Sequence, residues 1–166
     1  MIKNRVIPIC WGTKHQELEY TKDYFKDPGQ ESDWISSGHQ RESLFVELHV
    51  VKKTYTWMQY IIDYFPDVDN LSFCFSRFPA GTYLPMHVDR YAFYSRANQV
   101  QDPSRIVRYV LFLEDARPGH ILQVDQTIYH DWPAGLCVGW NYDASHLAAN
   151  LGLHDRYTLQ ITGTVK

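Results

Sequence analysis

Alternation of polar and apolar residues is clearest at the end of the chain. From Arg156 to Val165, Arg156, Thr158, Gln160 and Thr162 fall on one side and Tyr157, Leu159 and Ile161 on the other. A strand with one polar and one apolar face follows. Its polar face either lines a ligand cavity inside a small barrel or meets solvent. Upstream, Leu71–Phe78 is aromatic and β-leaning, and Pro79-Ala80-Gly81-Thr82 makes a turn. His87–Asp89 lies on a short extended piece, Arg90–Ser104 is a longer polar connection, and Val107–Leu113 reads as a buried strand. His120–Val124, Thr127–His130, Leu136–Trp140 and Ser145–Asn150 are further short strands separated by Gly, Pro and Asp. Short strands at this spacing predict a closed or sandwich-like β architecture.

The first third reads differently. Thr13 to Lys26 is charged and Tyr-rich without Pro or Gly, which predicts a surface helix. Pro28 to Gly38 reads as loop, Leu44 to Val51 as a strand, and Lys53 to Phe65 as an amphipathic helix ended by Pro66. These helices are expected to pack outside the β core, with residues 1–70 as flank and 71–166 as the core of a single domain spanning 1–166.

Composition narrows the class. The chain has 166 residues, 45% hydrophobic and 21% charged, which suits one globular domain with its own core. A net charge of −3 gives no global pull toward nucleic acid or an anionic membrane. Cys10, Cys74 and Cys137 are odd in number and widely spaced, which argues against a disulfide framework and a cysteine zinc site. No stretch approaches the roughly 20 apolar residues of a membrane span. The opening MIKNRVIPICWG lacks a signal-peptide apolar core. The expected setting is a reduced cytoplasm, in which Fe(II) persists.

The candidate chemistry begins at His87 and Asp89. Two residues apart on an extended segment, they point the same way and can reach one ion. His146 would add the second imidazole of a two-histidine, one-carboxylate metal site with open positions. Histidines are plentiful here, so Arg156 is what makes the set unusual. It lies ten residues beyond His146, with Thr158 on the same strand face. A guanidinium makes paired, charge-assisted hydrogen bonds to a carboxylate, and a hydroxyl adds another. Together they form a receptor for one end of a dicarboxylate whose other end chelates the metal. His15-Gln16-Glu17 imitates a metal pair but falls in the expected exposed helix; His120, His130 and His154 fall near turns.

His87-Val88-Asp89, His146, and then Arg156 with Thr158 resemble the 2-oxoglutarate- and Fe(II)-dependent dioxygenases. The resemblance covers about Leu71 to Lys166. The approach Phe78-Pro79-Ala80-Gly81-Thr82-Tyr83-Leu84-Pro85-Met86 is similar to the prolyl-hydroxylase branch. Trp132-Pro133-Ala134-Gly135 and Arg156-Tyr157-Thr158-Leu159 also fit aspartyl/asparaginyl-hydroxylase-like members. The resemblance implies a double-stranded β-helix, a cupin-like jelly roll with a few flanking helices. It implies Fe(II) held by His87, Asp89 and His146 as the catalytic residues, and 2-oxoglutarate and O2 as co-substrates. The outcome would be hydroxylation of an unactivated C–H bond with release of succinate and CO2. Asp89 favours hydroxylation, because related halogenases lack this carboxylate. Two departures stand out. Phe78 and Phe112 occupy positions where a tyrosine would be familiar, which leaves Arg108, on the same strand face as Phe112, as a further candidate co-substrate contact.

Arg90, Tyr91 and Arg105 belong to a basic, aromatic segment directly after the metal motif and are the candidate substrate contacts. The expected partner is a peptide, with proline one candidate residue, or a small molecule; nucleic acid is less favoured, and no membrane is expected. A solvated loop is the plain alternative for this segment. Trp132, Trp140 and Tyr142 either line the opposite wall or pack the core. Asn150 either orients a metal ligand or satisfies backbone at a strand end, and Asp155 is a further candidate partner. Two other functional readings remain: a non-catalytic, metal-binding cupin-like barrel, and a zinc hydrolase. For the hydrolase, no HExxH-like arrangement supplies a base.

Overall fold

The computed structural model describes residues 3–25 and 27–166. Eleven strands and three short α-helices follow one another. They are β1 (Lys3–Val6), β2 (Thr21–Tyr24), α1 (Pro28–Ser36), β3 (Phe45–Val50), α2 (Gln59–Ile62), β4 (Val68–Phe78), β5 (Thr82–His87) and α3 (Ala92–Ala97). Then come β6 (Ile106–Phe112), β7 (His120–Val124), β8 (Thr127–Tyr129), β9 (Leu136–Asn141), β10 (His146–Asn150) and β11 (Arg156–Val165). A seven-stranded sheet has the order β1-β9-β6-β11-β4-β3-β2, and a four-stranded sheet the order β5-β10-β7-β8. Neighbours throughout are antiparallel. The architecture is a mainly β jelly roll with few helices: the strand pattern predicts the sandwich-like β character, and the family resemblance implies the jelly roll.

Both faces of the large sheet are covered, which explains the nearly continuous apolar run of β6. Val107, Tyr109 and Leu111 of β6 join Leu159 and Ile161 of β11 on the outer face, against Met58, Ile61 and Phe65 around α2. On the inner face Val110, Phe112, Val138 and Trp140 meet Leu122 and Val124 of the small sheet. The polar face of β11 therefore points between the sheets, not to solvent.

The first third departs from its expected elements. Residues 13–25 hold one 3-10 turn, Lys14–Glu17, and then β2, instead of a helix; Lys26 lies outside the described residues. His15 is buried, its ring 2.8 Å from a Glu114 carboxylate oxygen, so this stretch is pinned to the core. β2 then adds to the sheet edge beside β3, where its polar residues can meet solvent. The expected loop at 28–38 is α1. Asp27 caps it, accepting from Gly29 N at 3.1 Å and Gln30 N at 3.3 Å, and Pro28 sits where no amide hydrogen is needed. The helix expected over 53–65 shortens to a 3-10 turn, Thr56–Met58, followed by α2. The polar connection after Asp89 contains α3, and β1 pairs with β9 where no strand was expected.

Candidate metal centre

The turn before β5 sets the position of the first candidate ligand. Gly81 takes φ +79°, a conformation open to glycine, and its amide donates to Asn150 O at 2.8 Å. Asn150 Nδ2 donates to Phe78 O at 2.7 Å and His154 O at 2.8 Å, while its Oδ1 accepts from Gly152 N at 3.1 Å. Asn150 thus satisfies backbone at the end of β10 and ties β4, β10 and the following loop together. Asp155 faces Arg77 and Tyr157 and is not seen to touch a candidate ligand.

From that turn β5 runs beside β10 in a register that sets His87 directly opposite His146. Their ring centroids are 4.3 Å apart. His87 Nδ1 lies 2.7 Å from Pro85 O, and His146 Nδ1 lies 3.2 Å from Ala144 O. A carbonyl can only accept, so each Nδ1 carries the proton and each Nε2 offers its lone pair inward. Burial pushes the His146 imidazolium down to about 4 and lowers that of His87. Burial thus favours the neutral form of both rings, the form that binds a metal.

Asp89 closes the triangle. Its Oδ1 lies 3.8 Å from His87 Nε2 and its Oδ2 3.7 Å from His146 Nε2. The three donor atoms lie within 4.8 Å of one another, and the separations of 3.7 and 3.8 Å from Asp89 are ones that an ion with bonds of about 2.0–2.2 Å can bridge. Burial alone would raise the Asp89 carboxyl, but the charge of Arg108 holds it below the usual range. Arg108 Nη2 donates to Asp89 Oδ2 at 3.0 Å, and Arg108 Nη1 donates to Gln160 Oε1 at 2.6 Å.

A cavity of about 170 Å³ joins this triangle to Arg156. Arg156, Thr158 and Gln160 line it in succession along β11. The Arg156 guanidinium is surrounded by rings, its Cζ 5.1 Å from the centre of Phe78, 5.5 Å from Trp132 and 5.7 Å from Phe112. Its Nε and Nη1 are buried without a hydrogen-bond partner among the described residues. Burial lowers its pKa to about 9. A buried cation with unused donors is costly until an anion joins it. Thr158 Oγ1 lies 2.6 Å from Ser76 Oγ, inside the fold.

The remaining expected residues divide. Arg108 lines the same cavity, but its strand partner is Thr162, six residues and roughly 20 Å along β11 from Arg156. Both of its terminal nitrogens are engaged beside the triangle. Tyr91 is buried, with the Arg108 guanidinium 5.2 Å from its ring centre. Arg90 pairs with Asp27 at 2.6 Å and borders a second hollow next to Asp89. Arg105 lies outside the cavity and donates to Val165 O. Trp140 lines the cavity, its ring centre 4.9 Å from that of His146, while Trp132 stacks on Phe112 at 3.9 Å. Tyr142 packs beside Tyr91, Tyr94 and Ile106, away from the cavity lining.

Sequence reasoning missed Phe25 and Trp34, whose rings meet His87 at 4.9 and 5.8 Å. It also missed Ser76. Residues 13–26 read as a helix and 28–38 as a loop, so neither ring stood on a strand face that the sequence pattern could show.

No family model matches the chain, and no curated protein matches it in sequence. Solved structures do match in shape. A prolyl-4-hydroxylase from Pseudomonas putida is 15% identical over 89% of this chain and 92% of its own, with a TM-score of 0.55. An oxidoreductase of the 2OG-Fe(II) oxygenase family from Burkholderia pseudomallei is 12% identical over 90% and 75%, with a TM-score of 0.55. A predicted oxalate decarboxylase from Thermotoga maritima is 12% identical over 73% and 82%, with a TM-score of 0.46. The first two likenesses establish a shared fold.

Proposed function

We propose that the protein is a 2-oxoglutarate- and Fe(II)-dependent dioxygenase, a single oxygenase domain spanning residues 1–166. The observation that carries this reading is Arg156: a buried guanidinium with unused donors, in the same cavity as a two-histidine, one-carboxylate triangle. A structural metal site has no need of an anion receptor. A dicarboxylate that reaches a metal at one end and Arg156 at the other satisfies both features at once.

The donor set fits Fe(II): two neutral imidazoles and one carboxylate, leaving open positions. His87, Asp89 and His146 would hold the ion, and Arg156 the far carboxylate of 2-oxoglutarate. Thr158, tied to Ser76, is the neighbouring hydroxyl. Fe(II) with 2-oxoglutarate and O2 supplies oxidative decarboxylation, giving succinate and CO2, and delivers a hydroxyl to a C–H bond of the substrate. The residues of the chain bind, orient and exclude water. Phe78, Phe112 and Trp132 enclose the carboxylate receptor in apolar rings, which strengthens its charge-assisted bonds. Asp89 occupies the position that halogenases of similar architecture leave empty, so hydroxylation is the favoured outcome. The substrate is a peptidyl residue such as proline, or a small molecule.

The test is succinate formation with Fe(II) and 2-oxoglutarate, with and without candidate peptides. Turnover should require Fe(II) and disappear in His146→Ala and Arg156→Ala. Metal binding without any affinity for 2-oxoglutarate would favour the cupin-like binding protein instead.

A further inference from the structure

Arg108 has an unusual place for a cavity arginine. It is mostly buried, with 15% of its side chain exposed, and it joins three parts of the fold. Its Nη2 holds Asp89 Oδ2 at 3.0 Å, its Nη1 holds Gln160 of β11 at 2.6 Å, and its guanidinium lies 5.2 Å from the Tyr91 ring centre. Tyr91, two residues past Asp89, takes φ +50°, and the backbone turns sharply there to bring its ring beneath Arg108. The Tyr91 hydroxyl is buried beside Asp89 and Arg108, and Arg108 Nε is buried without a hydrogen-bond partner among the described residues. Through Arg108 Nη2 this assembly holds one oxygen of one carboxylate.

A carboxylate can offer a metal one oxygen or two. Two imidazoles and one carboxylate oxygen leave three positions on a six-coordinate ion. A chelating co-substrate takes two of them, and oxygen needs the third. A carboxylate that turned to offer both oxygens would remove one of these. We infer that Arg108 is a positioning residue that holds Asp89 Oδ2 and so keeps the carboxylate to a single metal bond. This inference rests on the metal and co-substrate reading above, and assigns Arg108 to the metal side of the cavity.

Co(II) reports the difference, because its visible spectrum follows coordination number. Wild type, Arg108→Met, Arg108→Lys and Gln160→Met are titrated with Co(II), then with 2-oxoglutarate. Arg108→Met should still bind Co(II), but with a shifted spectrum. Its Co(II)-loaded form should bind 2-oxoglutarate roughly 10- to 100-fold more weakly, the scale on which a partner of a metal ligand acts. Binding of 2-oxoglutarate by metal-free protein should not change. Arg108→Lys should return part of both properties, and Gln160→Met should show a smaller shift of the same sign. If Arg108→Met does not fold, these two variants carry the test.

An unchanged Co(II) spectrum in the folded Arg108 variants overturns the inference. So does loss of metal-free 2-oxoglutarate binding in Arg108→Met, which would make Arg108 a direct co-substrate contact. A wild-type Co(II) protein that ignores 2-oxoglutarate overturns the proposed function, while the metal-only spectra still decide Arg108. A wild type that takes up no Co(II) overturns both.

Discussion

Arg156 shows how a single side chain can be unfavourable for folding and still make sense. It is 2% exposed, ringed by three aromatic side chains, and has two unpaired nitrogen donors. Replacing a buried charge by an apolar residue of similar length is often stabilising by about 1–4 kcal/mol. Arg156→Met should therefore unfold at higher urea than wild type when both lack ligands. The same variant should lose 2-oxoglutarate affinity by about 2 kcal/mol or more, the lower end for truncating one partner of a buried charge pair. Urea titration and calorimetric binding measure the two effects separately, and a variant less stable than wild type would contradict this account. The arginine was legible in the sequence by its type and spacing. Its aromatic surroundings were not, because Phe78, Phe112 and Trp132 come from three separate stretches of chain.

Among the elements, β11 was the most legible. Its period-two pattern separated Leu159 and Ile161, which lie in the outer core, from Arg156, Thr158 and Gln160, which the structure places in the cavity, and its bounds agree with the structure. Leu159 is fully buried beneath the outer layer, so Leu159→Ala should lower stability by about 2–5 kcal/mol, read as a fall in urea midpoint at unchanged slope. The N-terminal elements were not legible for a definite reason. Asp27-Pro28-Gly29 has turn chemistry and helix-start chemistry at once, and the ring contacts of Trp34 with Phe25 and His87, distant in sequence from each other, favour the helix. His15 falls in the expected exposed helix, yet it is buried against Glu114, 99 residues away along the chain. That pair carries a pH dependence. The hydrogen bond from His15, then one from Gln16, holds Glu114 below its ordinary 4.5 despite partial burial. A carboxyl depressed in the folded state binds fewer protons there than when unfolded. Its contribution is present above the ordinary value and fades as pH falls through the folded one. The stability gap between wild type and Glu114→Gln should shrink as pH drops from 6 to below 4.5, followed by urea unfolding at each pH.

At the scale of the whole molecule, a sandwich-like β character was legible from strand spacing and the jelly roll from the family resemblance, and sheet order was not. His87 and His146 are 59 positions apart, and their meeting depends on β5 and β10 being neighbours in the small sheet. No alternation along either strand encodes that neighbour relation. The site draws on both sheets, so ligands that bridge them should stabilise the whole fold. At a hundredfold excess over its dissociation constant a ligand adds about 2.7 kcal/mol. For a chain of this size that corresponds to roughly 5–10 °C in melting temperature. Fe(II) or Co(II) with 2-oxoglutarate should produce such a shift under anaerobic heating, and Arg156→Ala should remove the 2-oxoglutarate part of it.

β5 is an edge strand, bonded within its sheet to β10 alone. A metal bound by His87 and His146 would act as a rivet through that seam, fastening the outermost strand to its one neighbour. The amides of residues 82–87 that face β10 should then exchange with deuterium markedly more slowly in the metal-loaded protein than after chelation. The same rivet would protect an exposed row of backbone donors and acceptors from pairing with another chain. Loss of metal would open a route to self-association as well as remove the chemistry.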